Sequence, residues 1–283
     1  MIQSSFSVLP FYDSVDQQLH RKSYAYNSVF PLIAYKDFFI PFQFTASDFG
    51  VTRIAIHRID GSVLFTNVVQ AFSDAGMRVT QESEVTRVVF PARLPTAISM
   101  PQGQFYLAIS KASRTVFSEV FTVSNNVKNC LRLEWADIED LDYEGGTFKY
   151  TDGFKNKLYI DSQLGKPEYK FEEEGEDRDG FFFPEKRISE KVYKFTFLAP
   201  EYLLDALRIV RLSDHVFITD MYGKKYRCDT ILMTPKWEAQ GNLASVQVEF
   251  ETNTVVKKLG KGYMPSTQGG DFNNDFNNDF NIE

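Results

Sequence analysis

The stretch Thr52-Arg-Ile-Ala-Ile-His-Arg58, closed by Asp60-Gly61 and followed by Ser62-Val-Leu-Phe-Thr66, decides the reading of the fold. Ile54 and Ile56 fall on one side of an extended chain and Arg53 and His57 on the other, because successive side chains of a strand point to opposite faces. That is a half-buried strand. Asp-Gly tolerates the positive φ angles of a two-residue hairpin turn, so the next run is expected to return beside the first.

The same grammar continues outward from Phe38 to Val123. Phe105, Leu107 and Ile109 alternate with Tyr106, Ala108 and Ser110, and Val116 to Val123 reads as a further strand after a polar Lys-Ala-Ser-Arg turn. Short strands at this spacing predict an immunoglobulin-like β-sandwich over residues 31–125. Residues 1–30 carry Phe6, Phe11, Tyr12, Tyr24, Tyr26 and Phe30 without sustained periodicity. They read as an arm, which either folds back on its own domain or anchors to a neighbour. Ser124-Asn-Asn-Val-Lys-Asn129 is the expected linker.

A second domain is expected over 130–260. Leu131 to Trp135, the Phe148 and Leu158 regions, His215 to Thr219, and Val246, Val248 and Phe250 are strand-sized. Between them, Tyr193, Phe195 and Phe197 form an inward set with Val192, Lys194 and Thr196 opposite. Pro200 suits the first position of a helix, Glu201 its first turn, and Arg208 and Arg211 its end. With Leu203, Ala206, Leu207 and Val210 on one stripe, this predicts a helix over 200–212. The fold class is therefore mainly β, a sandwich followed by a β-sheet or partial barrel with one packed helix. Its 27 Phe and 14 Tyr suit pleated surfaces, and 43% hydrophobic residues give two domains real cores.

Charge narrows the function. A formal net charge of −7 argues against nucleic acid as a partner, since phosphate contacts need clustered cations. The first ten residues lack a basic segment followed by an apolar one, and no run of 18 apolar residues exists, so neither export nor a membrane is expected. Cys130 and Cys228 are read as buried, reduced thiols.

No catalytic residue, metal ligand or cofactor is predicted. His20, His57 and His215 stand alone, and no nucleophile elbow, phosphate-binding loop or dinucleotide fingerprint occurs. The acidic run 168–179 includes Glu172, Glu173, Glu174, Glu176 and Asp177 but lacks the order of a calcium loop, so it reads as a solvated or salt-bridging interface loop. A hydrolase using those carboxylates is the minor reading. Phe181, Phe182 and Phe183 follow it directly and need a cover. The closing repeat Asp-Phe-Asn-Asn within 261–283 presents Phe272, Phe276 and Phe280 as anchors for a neighbouring surface, and Phe11 and Tyr12 join them as candidate partner-binding residues.

Tyr159-Ile-Asp-Ser-Gln-Leu-Gly-Lys-Pro-Glu-Tyr-Lys-Phe, the following acidic run to Phe-Phe-Phe-Pro-Glu-Lys186, Phe195-Thr-Phe-Leu-Ala-Pro-Glu-Tyr-Leu203, Trp237, Ala244 to Phe250 and the Asp-Phe-Asn-Asn close resemble a family of tail-region structural proteins from phages and prophages of Bacteroides-type bacteria. The resemblance covers about residues 130–283. It implies a distal-tail or adaptor-like virion component, made in the host cytoplasm, whose partners are copies of itself in a ring and other tail proteins. An alternative is a carbohydrate-binding or host-adhesion module using Tyr24, Tyr26 and Tyr106.

Overall fold

The computed structural model describes residues 2–3, 6–19, 32–35, 38–46, 53–82, 85–111, 114–143, 146–237 and 242–258, and there the chain is mainly β. Its first half comprises β1 (Ile2–Gln3), β2 (Phe11–Tyr12), β3 (Ile33–Tyr35), β4 (Phe42–Ala46), β5 (Arg53–Arg58), β6 (Val63–Phe65), helix α1 (Val69–Asp74), β7 (Arg78–Gln81), β8 (Thr86–Phe90), β9 (Gly103–Lys111), β10 (Arg114–Ser118) and β11 (Phe121–Ser124). One sheet runs β1-β4-β8-β7; in the other, β10, β9, β5 and β6 are successive neighbours. These are the two strand orders of an immunoglobulin-like sandwich, assembled here without a disulfide. The Asp60-Gly61 turn joins β5 to β6 as expected, with Gly61 at φ 89°.

Aromatic side chains fill the space between the sheets. Phe42 stacks on Phe90 at 4.1 Å and meets Phe11 of the facing sheet at 5.0 Å, while Phe39 abuts Phe72 and Phe121. Phe72 lies on α1, a helix the sequence reading does not anticipate because its six residues span under two turns, too short for Val69, Ala71 and Phe72 to establish a 3.6-residue period. Strand β9 also departs from its predicted one-sided pattern: Phe105 to Ile109 are all buried, because the outer face of this central strand is covered too.

The second half adds β12 (Cys130–Ala136), β13 (Leu141–Tyr143), β14 (Gly146–Phe148), β15 (Asn156–Asp161), β16 (Glu168–Arg178), β17 (Phe181–Ala199), helix α2 (Glu201–Leu207) with a 3-10 turn to Leu212, β18 (His215–Thr219), β19 (Lys225–Arg227), β20 (Thr230–Trp237) and β21 (Ala244–Lys258). Two four-stranded sheets result, β15-β12-β18-β19 and β16-β17-β21-β20. Leu203, Ala206, Leu207 and Val210 are buried as their stripe predicts, while Pro200 sits one place before its expected position, as the extended N-cap residue, and Glu201 begins the helix.

One apolar cluster runs through both halves. Phe38 packs on Tyr159 at 4.8 Å and Phe6 on Tyr143 at 5.0 Å. A polar knot accompanies them. The Arg87 guanidinium donates to both Glu82 carboxylate oxygens, to Gln43 Oε1 and to the Thr147 carbonyl, and Gln43 exchanges two further hydrogen bonds with the Lys149 backbone.

Candidate interaction surface

Strands β16 and β17 turn on Asp179-Gly180, with φ of 51° and 84°. Two successive positive φ angles define the tight hairpin turn whose twist matches its flanking strands. The acidic segment is therefore a strand and not the loop expected from its charge. Beyond Tyr169 and Phe171 its carboxylates are wetted on both faces, so the run to Asp177 carries no apolar alternation to mark the pairing. Asp-Gly was the legible signal.

The hairpin extends the β16-β17-β21-β20 sheet. On one face Tyr193, Phe195 and Phe197 are buried, and the same face continues through Lys191, Ser189 and Arg187 of β17. There, Tyr169 and Phe171 of β16 and Val255 of β21 stand beside them, 73%, 66% and 63% exposed. Phe181 and Phe182 at the tip are exposed, and Phe183 is half-buried. Tyr169, Phe171 and Val255 form one exposed cluster, with the Lys191 ammonium 5.7 Å from the Tyr169 ring. The Glu173–Arg187 pair separates it from the tip, where Phe181 and Phe182 are successive strand residues and point to opposite faces, and exposed apolar side chains of this kind mark contact surfaces.

The opposite face is closed by charge. Lys170 bridges Glu249 at 3.0 Å and Glu251 at 3.6 Å, and Lys194 bridges Glu168 at 2.8 Å and Glu249 at 3.6 Å. The Lys170 ammonium, chiefly by hydrogen bonding, holds the Glu249 carboxyl below the usual range. Val192 lies on this face, opposite Tyr193 as the alternation predicts, and is nonetheless fully buried between Glu168 and Glu251, where the stems of long charged side chains can cover it. Glu173 pairs with Arg187 and Glu174 with Lys186, and Glu172, Glu176 and Asp177 of the same strand are exposed to solvent as well.

Gly175 sits opposite Pro184 where the register shifts, leaving Glu185 as the extra residue of a bulge. A Cβ at Gly175 would run into the Phe183 carbonyl. Gly175→Ala is thus expected to cost about 1–3 kcal/mol of local overpacking and to collapse amide-exchange protection from 176 to 183. Unchanged protection there would refute the bulge.

The remaining predicted residues lie elsewhere. Phe11 packs against Phe42, and the Tyr12 hydroxyl donates to Glu119 at 3.3 Å, so both are engaged within the chain and residues 6–19 fold back on the sandwich. Burial and then the Glu119 carboxylate push the Tyr12 phenol up. Phe272, Phe276, Phe280, Tyr24, Tyr26 and His20 lie outside the described residues. Tyr106 is buried between His57 and Phe117, which removes it from any aromatic platform. Cys130 and Cys228 are half-buried instead of buried; burial pushes their thiols up to about 11 and about 12, so both stay protonated.

The sequence reading missed the outer face of β15-β12-β18-β19. Arg132 and Glu134 alternate with buried Leu131 and Leu133, and Lys157 stands across from Glu134. Arg132 at 3.0 Å, Lys157 at 2.9 Å and Lys225 at 3.1 Å all reach the Glu134 carboxylate. Burial opposes its ionisation, but Lys157 leads the contacts that hold its carboxyl below the usual range. Beside it opens a cavity of about 270 Å³ lined by Trp135, Ala136, Lys155, His215, Phe217 and Lys225. A single-strand alternation of Arg-x-Glu was the available clue.

No group of three or more His, Cys, Asp or Glu side chains among the described residues is placed to hold a metal ion. No described helix is long and apolar enough to cross a membrane. No family model and no curated protein matches the chain. Among solved structures, the ZIG-8–RIG-5 IG1–IG1 heterodimer matches at 18% identity over 36% of this chain and 89% of that one, with a TM-score of 0.17. A complex of Dpr2 Ig1–Ig2 with DIP-Theta Ig1–Ig3 matches at 8% identity over 79% of this chain and 88% of that one, also with a TM-score of 0.17.

Proposed function

We propose that this chain is a structural component of a phage virion tail, a ring-forming adaptor or distal-tail subunit that works by protein–protein assembly and not by catalysis. The observation that carries the assembly part is the β16–β17 hairpin, which exposes Tyr169 and Phe171 along its length and Phe181 and Phe182 at its tip on a paired scaffold. Anchors of this kind supply most of the energy of protein interfaces. The tail assignment comes from the sequence resemblance over 130–283, and with it the place of work: the virion tail, after synthesis in the host cytoplasm. Native mass spectrometry and electron microscopy of the full chain, alone and with proteins encoded beside it, should give higher-order species. Monomers alone, with those neighbours present, would remove the reading.

A further inference from the structure

Two surfaces of this chain carry opposite charge, and the tip of the first is not seated on the second within one copy. Strand β16 carries Glu168, Glu172, Glu173, Glu174, Glu176 and Asp177 against Lys170 and Arg178; Glu168, Glu173 and Glu174 are paired with Lys194, Arg187 and Lys186 of β17, and Glu172 and Asp177 stand exposed beside them. It is an edge strand, so its backbone as well as its side chains are presented to a neighbour. At about 3.3 Å per residue, its 11 residues carry the tip roughly 36 Å along the ribbon. Exposure of Phe181 and Phe182 there shows that the tip is not seated on its own chain.

The outer face of β15-β12-β18-β19 is the opposite in sign, in a chain whose net charge is −7. Arg132, Lys155, Lys157, Lys225 and Arg227 gather around Glu134, with Asp161 as a second carboxylate at the end of β15 on the same face. Three of these cations already share the Glu134 charge, which leaves the face positive. The cavity beside Glu134 has Trp135, Ala136 and Phe217 among its walls. At about 270 Å³ it exceeds the roughly 150 Å³ that suffices for a benzene-sized ring.

We infer that the acidic β16 edge of one copy docks on the basic β15-β12-β18-β19 face of a second copy, with a tip phenylalanine, Phe181 or Phe182, seated in the cavity beside Phe217. This rests on the assembly reading above and specifies its contact. The two patches differ, so the interface is heterologous and generates a ring if its rotation closes. Opposite fields also steer the encounter, so association weakens as salt rises.

The test is a charge swap in the full chain, read by sedimentation velocity, with circular dichroism confirming each fold. One variant reverses the face, Lys155→Glu with Arg227→Glu. The other reverses the ribbon, Glu172→Lys with Asp177→Lys. Each alone should associate about tenfold or more weakly than the parent, because like charges then meet. Mixed together they should associate again, since each has one native and one reversed complementary pair. Phe181→Ala with Phe182→Ala touches no buried contact and should weaken association without altering the melt.

Parent-like assembly of both charge variants would overturn this contact while leaving assembly itself standing. A parent that stays monomeric up to hundreds of micromolar would also overturn it, whereas the assembly reading is decided by the neighbours' experiment. If the face variant assembled normally but lost binding to inorganic polyphosphate, the face would belong to a soluble anion and the inference would fall.

Discussion

Arg87→Ala should lower the stability of the folded chain by about 3–5 kcal/mol, the range for removing one partner of a buried charge pair. Arg87 is 4% exposed and its guanidinium makes four hydrogen bonds, to Glu82 at 2.7 and 3.1 Å, to Gln43 at 3.1 Å and to the Thr147 carbonyl at 2.9 Å. Alanine strands all three acceptors at the contact between the sandwich and β14. Chemical denaturation should therefore show a lower midpoint, with Lys149, 3.5 Å from Glu82, giving only partial compensation. The effect depends on pH. Hydrogen bonding from Arg87 outweighs the burial that raises the Glu82 pKa and holds its carboxyl below its ordinary 4.5. A depressed folded-state pKa contributes stability that is complete above the unfolded value and fades as pH falls through the folded one. The gap between parent and variant should accordingly narrow below pH 4.5. A gap of under about 1 kcal/mol at neutral pH, the scale of an exposed pair, would refute the role given to Arg87.

Phe42→Ala should cost a comparable 3–5 kcal/mol, the usual toll of emptying a phenylalanine site in a packed core. Phe42 is fully buried, stacked on Phe90 at 4.1 Å and against Phe11 at 5.0 Å, so the cavity opens between the two sheets where neither backbone can close in. Urea melts should shift in midpoint at constant slope, which marks a stability change with no change in the area exposed. Phe181→Ala, at the exposed tip, provides the contrast and should stay within about 0.5 kcal/mol. Equal losses at the two positions would mean that the core is not where the structure puts it.

Much of the fold could be read from the residues because one-sided burial writes itself into the sequence. Val246, Val248 and Phe250 keep a period of two, and Leu203, Ala206, Leu207 and Val210 keep a helical stripe, whereas in β5 Ala55 is buried along with Ile54 and Ile56. Where burial is two-sided or absent the signal weakens. The alternation of β9 marks its core side, Phe105, Leu107 and Ile109, but not that Tyr106 and Ala108 are covered too, and on β16 Tyr169 and Phe171 alternate for two positions only before the carboxylate run, which reads as a loop. The side Val192 takes was legible but its burial was not: it lies between Glu168 and Glu251, long charged side chains that a hydropathy pattern reads as solvent. The basic face escaped notice because its cations come from β12, β15 and β19, distant in sequence and adjacent only through pairing. The exposed phenylalanines at the tip were legible, since three apolar residues after an acidic run have no partner of their own.

The place of β17 in its sheet also sets an order of events at the ribosome. Its first neighbour, β16, precedes it across a two-residue turn, so the hairpin can close as soon as it emerges. Its second neighbour, β21, begins at Ala244 while β17 ends at Ala199, with α2, β18, β19 and β20 between. At about 5–20 residues per second, a nascent chain waits several seconds with one flank of β17 unpaired. Glu172 to Glu174 alongside Lys186 and Arg187 keep that waiting pair densely charged, which disfavours lateral pairing with other nascent chains until the returning strand arrives.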